Sequence, residues 1–244
     1  MEDQIKLILV ENDYTSIYIP SNDYHKELIE SDNEIFKYLS KYEYLLQNKN
    51  IVDVGSCFGM YSKYFSKITE QKVYCFEPNN LNYEILKINV DNLNVILSNK
   101  AVGSKKTKTF LIHKDKTNLG QSVFFNKYFF NDDLISQIMN KLTNDQDIDT
   151  LKNKNGIDVI SLDSLNLKEV GLIKIDVEGF EIDVLKGCKK LISEFKPLIL
   201  IGTHKINNIN TKNDVFKILK NYNYELVKEF KKCDEFIFKY KENE

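Results

Sequence analysis

Arginine and tryptophan are absent from the chain, and Ala101 is its only alanine. With abundant Asn and Ile, that bias reflects an A+T-rich coding sequence and carries nothing about activity. Cysteine is scarce: Cys57, Cys75, Cys188 and Cys233 have no paired or metal-like spacing, so they read as reduced structural thiols. Charge of one sign is not in excess. The 34 lysines stand against 36 acids, a net charge of −2, which gives no electrostatic case for nucleic acid or an anionic membrane as partner. No apolar run reaches the length of a membrane span, and the opening "MEDQIKLILV" lacks the pattern of a signal peptide, so the expected location is cytoplasmic. Internal repeats and low-complexity linkers are missing as well. What remains is a single domain of 244 residues, 42% apolar, with room for a sizeable core.

What is present is alternation. "SIYIP" (16–20) reads as a strand, and "DNEIFKYLSKYEYLLQ" (32–47) spaces Ile35, Phe36, Leu39, Tyr42, Leu45 and Leu46 as one helix capped by Asp32. Residues 1–49 thus form an extension of the domain that begins at residue 50. From there the order is strand (50–55), glycine turn, helix (60–68), strand (72–77), helix (79–93) and a third strand, "NVILSNKAVG" (94–103). Strands alternating with helices predict right-handed crossovers and an α/β domain, its mostly parallel sheet flanked by helices on both faces.

Residues 104–156 interrupt this order and read as an insertion, with a strand at "KTFLIH" and a helix at 131–142. Segment 117–145 is expected to fold over an acceptor site, where "TNLGQS" would offer small polar groups. The alternation then resumes with "LIKID", a helix over 180–195, the strand "PLILIG" and a helix near 211–221. "YELVKEF" and "EFIFKY", joined by "KKCD", predict an antiparallel hairpin at the sheet edge.

Two places carry chemistry. In "VDVGSCFG" (52–59), Asp53 precedes a tight turn bounded by Gly55 and Gly59, and a helix starts there, so free N–H groups and close backbone approach are available to a ligand. The G-x-x-x-G spacing lacks the third glycine of the dinucleotide fingerprint, which argues against an NAD-dependent oxidoreductase. Glu77 follows 22 positions after Gly55, at the end of the second strand, where a carboxylate can accept both hydroxyls of a ribose. The second place is "LIKIDVEGFEIDVLKG" (172–187), a buried strand running into Asp176 and Glu178. Glu178 and Glu181 can be read as acids favouring the positive end of a helix dipole; Asp176 and Glu178 can equally be ligand-facing groups at the carboxyl end of a parallel strand.

The blocks "IVDVGSCFGMYS", "VYCFEPNNLNYEILKINV", "NKAVGS", "VISLDSL" and "LIKIDVEGFEIDVLKG" resemble, in order and spacing, those of FkbM-type S-adenosylmethionine-dependent methyltransferases. The resemblance implies a Rossmann-like sheet of seven strands with the last inserted antiparallel, and S-adenosylmethionine as cofactor. It further implies that Asp53, Gly55, Ser56 and Gly59 line the methionine half of the cofactor. Glu77 would hold the ribose, Asn99 and Ala101 would border the adenine, and Asp176 would stand near the transferred methyl group. Members of that family methylate hydroxyls, often on sugars, so the expected partner is a small-molecule or sugar acceptor. Nothing like an Asn-Pro-Pro-Tyr signature for amino-group methylation follows "LIKID", which agrees. One departure is Gly202, where the family usually presents a Glu; His204 is then a candidate base beside Asp176 and Glu178. No Mg²⁺ site is expected. A cofactor-binding module without turnover is the alternative that Gly202 keeps open.

Overall fold

The structure is a computed structural model, and it describes residues 6–21, 24–109, 111–113, 122–124, 156–206 and 209–242. Most of the 104–156 insertion lies outside these residues, including the expected helix at 131–142 and most of the expected lid at 117–145.

The chain opens with a hairpin, β1 (Leu7–Glu11) paired antiparallel with β2 (Ser16–Pro20), followed by α1 (Tyr24–Leu39), a 3-10 turn (Ser40–Tyr42) and α2 (Glu43–Leu46). The helix expected over 32–47 therefore begins eight residues earlier and breaks at 40. Asp32 lies inside α1 and caps nothing, because its carboxylate accepts the Tyr61 hydroxyl at 2.8 Å. Of the six apolar positions, Ile35, Phe36, Leu39 and Leu46 are buried, whereas Tyr42 is half-buried and Leu45 is exposed.

Next come β3 (Asn50–Val54), α3 (Met60–Ile68), β4 (Val73–Phe76), α4 (Asn80–Asn89) and β5 (Val95–Ser98). The strand expected over 94–103 is split. At Asn99 the chain turns out of the main sheet, and β6 (Ala101–Val102) joins β7 (Thr107–Thr109) and β10 (Ile157–Ile160) in a small three-stranded sheet. β8 (Leu111–His113) and β9 (Ser122–Phe124) pair as a hairpin.

After a 3-10 turn at Leu162–Leu165 follow β11 (Val170–Ile175), α5 (Glu181–Lys186) and α6 (Lys189–Phe195). The helix expected over 180–195 is thus two helices, for a local reason. The Gly187 amide donates back to the Asp183 and Val184 carbonyls, tightening the last turn of α5. The start of α6 is then capped from outside by Asp163, whose carboxylate oxygens accept the Lys190 and Leu191 amides, both at 3.1 Å. β12 (Leu198–Gly202), the short pair β13 (Lys205–Ile206) and β14 (Ile209–Asn210), α7 (Lys212–Asn221), β15 (Tyr224–Phe230) and β16 (Glu235–Tyr240) complete the chain.

Seven strands form the main sheet in the order β15-β16-β12-β11-β3-β4-β5, and β16 alone runs against the rest. One face carries α1, α3 and α4, which bury Phe36, Phe65 and Leu86 against Ile51, Leu172, Leu200 and Ile237. The opposite face carries α5, α6 and α7, with Val184, Leu191, Val215 and Leu219 packed against Val52, Ile173 and Ile199. The expected seven-stranded Rossmann-like sheet with its C-terminal antiparallel hairpin is therefore present. From β3 the chain steps outward to β4 and β5, then returns to β11 on the other side of β3. This reversal makes the carboxyl ends of β3 and β11 the switch point, where open sheets of this kind form a crevice. No helix among the described residues is long and apolar enough to cross a membrane.

Asp163→Ala removes the partner of two helix-end amides. It is expected to lower the unfolding free energy by about 1–2 kcal/mol in urea titration. Asp158→Ala, on the exposed side of β10, should change it by less than about 0.5 kcal/mol, and equal effects would remove the capping role.

Candidate active site

Register places the site residues. Asp53, Lys174, Leu200 and Ile237 are successive cross-strand partners on β3, β11, β12 and β16. Side chains alternate along a strand, so the residues two positions beyond them return to the same face at the carboxyl edge. That row reads Gly55, Asp176 and Gly202, with Glu235 as the ladder partner of Gly202. Glu77 stands past the end of β4, on the outer side of Gly55.

Beneath the edge lies a buried cation. The Lys174 ammonium donates to the Gly55 carbonyl at 2.9 Å, lies 3.4 Å from Asp53 and 3.6 Å from Asp176, and sits over the Tyr61 ring at 4.9 Å. Burial alone would favour the neutral amine, but the charges of Asp53 and Asp176 outweigh it and raise the lysine above its ordinary value. Asp53 is fully buried and accepts the Ser62 hydroxyl at 2.6 Å. It therefore lies under α3, behind the turn that it precedes. Asp32 and Glu235 approach the same cluster from α1 and β16. Burial raises Asp32 to about 7 against the pull of Tyr61 and Lys174, and burial with the charges of Asp176 and Asp32 raises Glu235 well above the carboxylate range.

The turn after β3 is shaped by packing. Gly55 has φ +79°, and a side chain there would strike the Asp176 carbonyl oxygen, 1.8 Å from an ideal Cβ. Gly59, at φ +91°, abuts Leu86 of α4. The Ser56 hydroxyl is buried and donates to the Asp53 carbonyl. Glu77 is buried too, each carboxylate oxygen accepting one backbone amide, from Cys57 and from Asn79, both at 2.8 Å. Burial raises it to about 7 despite those two donors. The exposed Asn99 donates its side-chain amide to the Glu77 carbonyl at 2.9 Å. Ala101 lies apart from these groups, buried against Val159 in the small sheet.

Asp176, Glu178 and His204 come together. The Asp176 side chain keeps 36% of its surface exposed, the most open carboxylate of the cluster, while its backbone amide is tied to Val54. Glu178 adopts φ +48° in the turn into α5. His204 follows β12, its backbone held by Thr211, with Nε2 at 3.6 Å from Asp176 and 3.5 Å from Glu178. Its Nδ1 lies 2.6 Å from the fully buried Glu181. Burial would lower the imidazole, but the Glu181 hydrogen bond and the charges of Glu181, Asp176 and Glu178 prevail and raise it to about 10. At neutral pH the ring is an imidazolium, which has no lone pair with which to act as a base.

Sequence reasoning missed Lys174, Glu181, Glu235 and the Asp32–Tyr61 pair. Lys174 had a signal, since a lysine between Ile173 and Ile175 in a buried strand must have an anionic partner.

A family model described as "Methyltransferase FkbM domain" matches residues 53–226. Among solved structures, the chain is similar to a methyltransferase FkbM from Methylobacillus flagellatus KT, with 17% identity and a TM-score of 0.51, over 90% of this chain and 56% of that one. It is also similar to wild-type Trm5b from Pyrococcus abyssi (9% identity, TM-score 0.49, 97% and 55% of the two chains). A third is the Pyrococcus abyssi tRNA (uracil-54, C5)-methyltransferase in complex with S-adenosyl-L-homocysteine (13%, 0.45, 95% and 43%). The chain thus spans little more than half the length of the FkbM protein, and at these identities the likeness is one of fold. No curated protein matches it.

Two expectations follow from the electrostatics. Lys174→Met leaves Asp53 buried without its cation and should cost about 3–5 kcal/mol of stability. Adding Asp53→Asn should recover most of that loss, and a double variant no better than the single would refute the pairing. His204 binds its proton more tightly folded than unfolded, so its stabilisation is fully present below pH 6.5 and drains away as pH rises toward 10. The unfolding free-energy difference between wild type and His204→Gln should shrink across that window.

Proposed function

The chain belongs to the FkbM methyltransferase family, and from that membership we propose that it transfers a methyl group from S-adenosylmethionine to a hydroxyl of a sugar, glycan or related small molecule. The observation that carries this reading is Asp176, the open end of an otherwise buried charge network at the switch point of the sheet. The four unpaired cysteines agree with a cytoplasmic setting.

The residues at the edge fit the methyl donor. A carboxylate has room for about four hydrogen bonds, and the two backbone amides at Glu77 leave capacity for both ribose hydroxyls. Asn99 lies beside it to border the adenine, and Ala101, two residues on, begins the small sheet. The turn from Gly55 through Ser56 to Gly59 faces the methionine half, and Asp53 acts on it from below, through Lys174 and the Gly55 carbonyl.

When bound, S-adenosylmethionine supplies a methyl group already activated by its sulfonium. The protein's task is then to align an acceptor oxygen and take its proton. Asp176 would carry the second part, taking the proton of the acceptor oxygen as that oxygen bonds to the methyl carbon and the methyl–sulfur bond breaks. The Lys174 ammonium stands 3.6 Å from that carboxylate. Glu178 closes the far side of His204, and its place at the turn into α5 also sets it near a helix start.

Glu77→Ala should weaken S-adenosylmethionine binding by about 1.5–3 kcal/mol in calorimetry, through loss of the charge-assisted contacts to the ribose. Undiminished affinity, or wild-type protein that binds NAD instead, would count against the cofactor assignment. Asp176→Asn should lower turnover by roughly 10²–10⁴-fold against a hydroxyl acceptor found by screening sugars and nucleotide sugars, with folding unchanged, and Glu178→Gln should cost less. Near wild-type turnover in folded Asp176→Asn would remove the proton-acceptor role.

A further inference from the structure

His204 is fastened from one side and open on the other. Its Nδ1 makes the 2.6 Å contact with Glu181, whereas Nε2 stands at 3.6 and 3.5 Å from Asp176 and Glu178, longer than a normal N–H···O hydrogen bond. Glu181 is itself immobilised. It is wholly buried at the first turn of α5, its Oε1 also accepts the Gly179 amide at 2.9 Å, and its Oε2 is buried without a hydrogen-bond partner. A buried carboxylate anchored in this way is costly unless a cation meets it, and the imidazole of His204 is the group that reaches it. The titratable groups that act on the ring are Asp176 and Glu178 beyond β11, Glu181 of α5 and Glu235 of β16.

We propose that Glu181 is a positioning residue that holds His204 as an imidazolium, so that Nε2–H serves as a hydrogen-bond donor to the acceptor oxygen beside Asp176. The arrangement divides the labour at one hydroxyl. The oxygen accepts from His204, which makes its proton easier to release, and donates to Asp176, which takes that proton as the oxygen–methyl bond forms and the methyl–sulfur bond breaks. A hydroxyl that accepts from His204 and donates to Asp176 replaces the one long ionic contact between those side chains with two short hydrogen bonds. This rests on the hydroxyl-transfer reading for its chemistry, but the clamp of Glu181 on His204 stands on geometry alone.

The clamp can be read without any acceptor. The chain has only three histidines, so the His204 ring can be followed by nuclear magnetic resonance in the full-length protein while pH is varied. The wild-type ring should stay doubly protonated to near pH 10. Glu181→Gln keeps the shape and removes the charge, and its His204 midpoint should fall by about 1–3 pH units. A wild-type midpoint near 6.5 overturns the proposal by itself, whether or not the variant folds, as does a Glu181→Gln midpoint that does not move. With an acceptor in hand, Glu181→Gln should lose roughly 10²-fold in turnover at pH 8, regain most of it at pH 6, and keep its affinity for S-adenosylmethionine. A purely structural role for Glu181 would give parallel pH profiles instead and would overturn the proposal. If no hydroxyl acceptor is ever methylated while the ring titrates as expected, the acceptor reading falls and the clamp is supported.

Discussion

One ammonium group sits where the chain reverses its path across the sheet, and the rest of the edge is arranged around it. Taking a lysine out of water costs several kcal/mol unless anions meet it, so β11 and β3 can come together only in a register that sets Lys174 against Asp53. A slip of one residue would turn the ammonium to the opposite face, among Val52 and Ile199 of the flanking strands, where it would meet apolar side chains. The same register brings Asp176 to the surface of the crevice two residues later. The charge that fixes the strands thus also fixes the most exposed carboxylate of the cluster, so the proposed site and the fold draw on the same contact.

The acids near this cation outnumber the cations, and the balance is kept by protons. Asp32 and Glu235 are displaced upward by burial, so they tend to remain neutral while Asp53 and Asp176 pair with Lys174. His204 adds a second positive charge on the solvent side. The result is a graded site in which neutral acids lie deep, a paired anion lies at the edge, and a cation faces it across the entrance.

How much of this could be read from the residues depended on the range of the interaction. Strands β3, β12, β15 and β16 and helices α3 and α7 follow from local apolar period and flanking turns, and they stand within a residue or two of expectation. The breaks were not local. α5 and α6 part because Asp163, more than 20 residues upstream, caps the second helix, and β5 and β6 part because Asn99 turns away to bond the carbonyl of Glu77. Asp32 looked like a cap because Asp often is one, yet a tyrosine 29 positions later claims its oxygen. Within the site, Asp176, Glu178 and His204 were legible because strand ends at a switch point are where ligands bind. Glu181 was not, since an acid in the first turn of a helix has an ordinary explanation and only tertiary contact with His204 gives it another.

Gly55 bears on how this chain could diverge over time. The requirement there comes from the Asp176 carbonyl, which leaves no space for a side chain, and only secondarily from any molecule in the crevice. A descendant that lost its cofactor and its chemistry would still be held to glycine at that position by the packing of two strands. Retention of this glycine therefore cannot serve as a marker of retained activity. A better marker would be a side chain with little structural work of its own.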